Sequence, residues 1–80
     1  MQPPEYPTQA RRRNQQGSVV IEFTVNISGE TEDIAVISAN PPRVFDREAI
    51  RAVSRWKFMP ATENGQAVPQ RIRHTIDFNL

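Results

Sequence analysis

The sequence predicts an α+β fold in which two helices pack on one face of a three-stranded antiparallel sheet, in the order helix, strand, strand, helix, strand. Three observations carry this reading. Val19, Ile21, Phe23, Val25 and Ile27 form one alternating run, broken only by Val20, and Ile72, His74, Ile76, Phe78 and Leu80 form another. That is the period of strands buried on one face. Between the two runs, Ala49, Ile50, Val53 and Trp56 recur at helical spacing and leave Arg47, Glu48, Arg51 and Arg55 for water.

The elements follow in order. Gln2 to Pro7 holds three of the seven prolines and is expected to be extended, because Pro fixes φ and drives the residue before it out of the helical region. Thr8 to Gln16 reads as a short polar helix, opened by Pro7-Thr8, closed by Gly17 and anchored weakly through Ala10. Ser18 to Ile27 is the first strand. Ser28-Gly29-Glu30 is a tight turn into a second, less regular strand over Thr31 to Ala39, and the pair makes a hairpin. Asn40-Pro41-Pro42 stops it. Asp46 is placed to cap the next helix, with Phe45 before it as a hydrophobic staple onto Ile50. After a turn at Asn64-Gly65, Arg71 to Asn79 forms the third strand.

Length and composition bound what such a domain does. Eighty residues make one domain that buries only about 60–65 % of its unfolded surface, too little to enclose a deep cavity. Ten Lys/Arg against nine Asp/Glu give a net charge of +1, which leaves no overall field for nucleic acid. The run Arg11-Arg12-Arg13 reads as a solvated helix face. With no cysteine, disulfides, zinc ribbons and thiol catalysis fall away. No apolar stretch approaches the ~18 residues of a membrane span. The opening MQPPEYP reads as the end of a Pro-rich linker, so residues 1–7 are assigned to a linker and 8–80 to the domain.

Enzymatic chemistry finds little support. The single His74 falls on the apolar side of the last strand and reads as an imidazole packed against the helix or at the sheet rim. No ligand spacing for zinc or calcium is present, and no cofactor is expected. Glu30, Glu32 and Asp33 cluster at a hairpin turn, where acidic residues are usually solvated. The three glycines are isolated at expected turns rather than grouped as a phosphate cradle. The chemistry left is the unpaired backbone of a sheet edge, which can take an extended peptide as an added strand. Trp56, at the helix end and four residues before Pro60, reads as a core residue closing the helix stripe over the sheet.

Several of these segments together resemble the TonB carboxy-terminal domain. They are Tyr6-Pro7, Gly17 leading into Val19-Val20-Ile21-Glu22-Phe23-Thr24-Val25, Ser28-Gly29, Phe45-Asp46 with Ala49-Ile50, Arg55-Trp56-Lys57-Phe58-Met59-Pro60-Ala61, Asn64-Gly65, and Ile76-Asp77-Phe78-Asn79-Leu80. The ordered set spans nearly the whole chain. The resemblance implies a periplasmic domain of an energy transducer, held in the inner membrane by an anchor outside this chain and energised by a proton-motive-force complex of the ExbB/ExbD type. Its partners would be outer-membrane receptors for siderophores or cobalamin, whose TonB box pairs with the last strand. Carried onto this chain, the partner-binding residues are Arg71, Ile72, Arg73, His74, Thr75, Ile76, Asp77, Phe78 and Asn79 on that strand. Gln2, Tyr6 and Pro7 join them in the segment near the receptor plug. Some relatives continue into a further strand that swaps in homodimers; here the chain stops at Leu80, which leaves the last strand's edge more open and argues against a swapped dimer, so that any homodimer is expected to be weak and to use that same edge. A homodimerisation domain or a TolA-like scaffold domain is the alternative reading. The TolA domain shares the layout but is not expected to carry Trp-Lys-Phe-x-Pro followed by Asn-Gly.

Overall fold

The computed structural model describes residues 2–80. Strand β1 (Gly17–Val25) lies at the centre of an antiparallel sheet, flanked by β2 (Thr31–Asn40) and β5 (Gln70–Phe78). The helices are α1 (Thr8–Arg12) and α2 (Asp46–Arg55), and a separate two-stranded hairpin is made by β3 (Ala61–Glu63) and β4 (Gln66–Val68). The α+β class and the helix, strand, strand, helix, strand order are as predicted, with the small hairpin added.

Because β1 has neighbours on both sides, its alternation is the strictest. Val19, Ile21, Phe23 and Val25 are fully buried, and the residues between them are half-buried on the outer face. The strand ends at Val25 rather than Ile27, since the Asn26 side-chain oxygen accepts the N–H groups of Ser28 (2.9 Å) and Glu30 (3.0 Å) and folds the chain into the turn. Ile27 is left 59 % exposed. The irregular pattern of β2 has a structural cause: its register with β1 shifts between Val20 and Ile21 and again between Glu22 and Thr24, so that Asp33 takes a positive φ of 51°. These bulges bring Ile34, Val36 and Ala39 to the core despite their uneven spacing.

Two helix expectations need correction. Asp46 is not the cap of α2; it lies in the first turn, and its Oδ1 accepts the N–H of Arg43 at 3.0 Å. Phe45 holds the cap position without a side-chain cap and stacks on Phe78 at 4.4 Å. Ile50 is 40 % exposed. At 3.6 residues per turn Ala49, Ala52, Val53 and Trp56 share one arc of roughly 100°, and position 50 falls outside it. The first helix is shorter than expected: Asn14 adopts φ 53°, its N–H bonds to the carbonyl of Arg11 (3.1 Å), and that of Gln15 bonds to Ala10 (2.8 Å). This Schellman closure ends α1 before Gln16.

Trp56 is core, as expected. It is 5 % exposed and meets Phe23, Phe58 and His74 edge-on, with centroids 6.4, 6.2 and 5.5 Å away. Its indole N–H donates to the carbonyl of Gln2 at 2.8 Å, so the proline-rich segment lies back along α2. Tyr6 sets its ring edge against Phe45 (5.5 Å) and Phe78 (5.9 Å), and its hydroxyl donates to the Gln15 carbonyl. After Trp56 the chain pairs with the β1–β2 turn, where Phe58 N–H donates to the Gly29 carbonyl at 2.8 Å. Gly29 has φ 82°, and a Cβ there would lie 2.1 Å from the Phe58 oxygen, so the turn and the helix exit fit only around glycine. Asn64 (φ 51°) and Gly65 (φ 81°) then form a type I′ turn between β3 and β4. Pro69, which has no N–H to donate, separates β4 from β5.

Candidate functional site

Strand β5 pairs with β1 on one side, and among the described residues no strand lies along its other edge. Its ladder with β1 runs through nine successive pairs, Gly17 with Phe78 to Val25 with Gln70, with no register shift. The regularity follows from sequence: Ile72 and Ile76 on β5 face the β1 core positions Phe23 and Val19, and Phe78 faces Gly17. At Gly17 a Cβ would clash with the Asn40 oxygen at 2.4 Å and the Phe45 ring at 2.8 Å. The missing side chain admits the Phe45–Phe78 stack.

Of the strand residues expected to form the site, Arg71 to Phe78 lie in β5, whereas Asn79 falls one residue beyond it. Ile76 and Phe78 are buried, Ile72 half-buried, and Arg71, Arg73, His74, Thr75 and Asp77 exposed. His74 lies on the core side at the rim, as expected, its ring against Trp56. The amino-terminal residues reach the same strand through aromatic rings. Gln2 bonds to Trp56, which touches His74, and Tyr6 rests on Phe78. Pro7 opens α1, its carbonyl accepting the Arg11 N–H at 3.0 Å.

On the outer face a polar clamp crosses all three strands, and reading along the sequence did not foresee it. Glu22 on β1 accepts Arg71 Nε at 3.0 Å and Arg73 Nη2 at 2.9 Å, one carboxylate oxygen each. Arg71 Nη1 reaches on to Thr24 Oγ1 (3.1 Å) and to the Asp33 carbonyl (2.6 Å), which the β2 bulge turns toward it. The hydrogen bond from Arg71, then that from Arg73, holds the Glu22 carboxyl below its ordinary range. At the far end Lys57 Nζ meets Glu30 at 2.7 Å and lowers that carboxyl likewise. Outward positions on both strands were visible, but the pairing needs the β1–β5 register, which no local pattern encodes.

Fold and edge together define a class: small two-layer α+β domains whose sheet ends, among the described residues, in one long and regular edge strand. Within that class the chain belongs to the TonB C-terminal family. A family model described as Gram-negative bacterial TonB protein C-terminal matches residues 2–80. The chain is 35 % identical over 80 residues to a TonB protein of Pseudomonas aeruginosa and 36 % identical over 80 residues to one of Xanthomonas campestris. Both matches cover the whole chain, which spans 23 % and 36 % of those relatives' lengths. The solution structure of the P. aeruginosa TonB carboxy-terminal domain superposes with a TM-score of 0.87 at 35 % identity, covering 100 % of this chain and 81 % of that one.

Proposed function

We propose that this chain is the receptor-binding domain of a TonB-type energy transducer and that β5 takes the TonB box of an outer-membrane receptor as an additional strand. The observation that carries this is the unbroken nine-residue ladder of β5, whose far edge has no partner strand among the described residues. Backbone pairing of that kind supplies affinity while side chains contribute little to the ladder, which suits a domain that serves several receptors. Arg71 to Asn79 form the pairing edge. Gln2, Tyr6 and Pro7 lie toward the receptor plug, tied to β5 through Trp56 and Phe78. In the full-length protein an inner-membrane anchor and an ExbB/ExbD-type complex energise the domain in the periplasm for uptake of siderophores or cobalamin.

Titration with a synthetic TonB-box peptide tests this. Backbone amide shifts are expected to concentrate on residues 71–79, with slowed hydrogen exchange at outward-facing amides there. Shifts confined to β2 or to the helices, in a folded domain, would overturn the assignment of the edge. Sedimentation over a range of concentrations addresses the homodimer reading, since a self-paired edge would give mass that rises with concentration and a peptide response that falls.

A further inference from the structure

The near-neutral net charge conceals a division between the layers. Residues 2–16 and 41–56, which hold both helices, carry seven arginines against three acids, Glu5, Asp46 and Glu48, a formal +4. The sheet, hairpins and helix exit, 17–40 and 57–80, carry three cations against six acids, a formal −3. The cations of the two layers also differ in use. Lys57, Arg71 and Arg73 are each ion-paired, whereas among the described residues only Arg51 of the helical seven meets a carboxylate, Glu48 at a loose 3.9 Å.

The seven are spread, not gathered. Arg47, Arg51 and Arg55 recur every four residues along the exposed side of α2, a ridge of like charges that repel within the helix. Glu48 sits between two shallow grooves. One is lined by Arg13 and Arg43 with Pro7, the other by Arg51 and Arg55 with Gln2 and Glu5, so the arginines continue onto α1 and the loop before α2 with two acids, Glu5 and Glu48, among them. Ile50, exposed on the flank of this ridge, adds an apolar side chain among the guanidinium groups. Guanidinium favours oxyanions, phosphate above all, and a broad array without a cradle matches many anions on a plane better than one bound anion.

We infer that the helical layer docks on an anionic phospholipid surface, the arginines contacting headgroup phosphates and Ile50 entering the headgroup layer. The three exposed α2 charges, of which only Arg51 has a loose carboxylate neighbour, supply attraction that ionic strength screens, and the acidic charges belong to the sheet layer. This surface is distinct from the β5 edge, although Gln2 and Pro7 of the amino-terminal segment line its two grooves.

Co-sedimentation with vesicles of phosphatidylglycerol and phosphatidylcholine, against vesicles of phosphatidylcholine alone, tests the inference. Binding is expected only to the anionic vesicles and is expected to vanish at about 1 M salt, where the Debye length is ~3 Å. The triple variant Arg47→Gln, Arg51→Gln, Arg55→Gln keeps helix-forming residues and is expected to lose about fivefold per charge, on the order of a hundredfold in all. Lys57→Gln on the other layer is expected to bind like the parent. Equal binding to neutral vesicles, an unaffected triple variant, or an equal loss in Lys57→Gln would each overturn it. So would a triple variant that binds vesicles normally but loses affinity for an acidic receptor fragment, which would assign the ridge to a protein partner.

Discussion

The sheet has two outer strands, and they are built in opposite ways. Strand β2 is broken by two register shifts, carries a left-handed Asp33, and is tied to α2 by Thr31 Oγ1, which donates to the Val53 carbonyl at 2.8 Å. Strand β5 keeps one register for its full length. Bulges are a common means of making an edge unsuitable for pairing. One edge of this small sheet is therefore spoiled and the other left in good order, which directs any added strand to a single side.

The largest effect is expected from removing what the central and offered strands share. Trp56 supports β1 through Phe23 and β5 through His74, and Trp56→Ala should destabilise the domain by about 3–5 kcal/mol in urea denaturation, a large share of so small a fold's stability. A loss below 1 kcal/mol would mean that the two strands do not depend on this ring. Next comes Gly29→Ala, expected to cost roughly 2–3 kcal/mol because it meets both a positive φ and the Phe58 oxygen. Asp33→Val forces a β-branched residue into the left-handed region of the β2 bulge and should cost about 1–2 kcal/mol, with Asp33→Gly close to neutral. Should Asp33→Val instead be silent and β2 begin to pair with peptide, the bulge would be dispensable and the contrast between the edges wrong.

The smallest effect concerns the clamp. The folded-state carboxyl of Glu22 lies below its unfolded value, so its contribution is present above the ordinary carboxylate range and is lost as pH falls through the depressed folded value. A carboxyl-carbon titration by NMR should place the Glu22 midpoint below that range, and Arg71→Gln with Arg73→Gln should return it there. An unchanged midpoint in the double variant would show that the arginines do not hold Glu22.

What the sequence made legible divides along the same line. Strands β1 and β5, whose alternation is imposed by one buried face, could be read almost residue by residue. The Gly29 turn and the core role of Trp56 followed from a breaker and a stripe. Strand β2 was read only in outline, because bulges shift the burial period without a sequence mark as plain as Pro or Gly. The β3–β4 pairing escaped because three-residue exposed strands show no hydrophobic alternation, although their Asn-Gly turn was evident. The Glu22 clamp and the Gln2 carbonyl on Trp56 join residues 49 and 54 positions apart, beyond the reach of local pattern.

The proline-rich segment along α2 has a mechanical consequence. Its hold on the domain is a series of separate attachments, Gln2 on Trp56 first and Tyr6 on Phe45 and Phe78 next. A tug from the amino-terminal end meets them one at a time and peels them in order. A tug along β5 is instead shared by all nine rungs of its ladder at once. The amino-terminal segment is thus held by attachments that are loaded in turn and β5 by a ladder that is loaded together, and Phe78, which touches Tyr6 and ends that ladder, belongs to both.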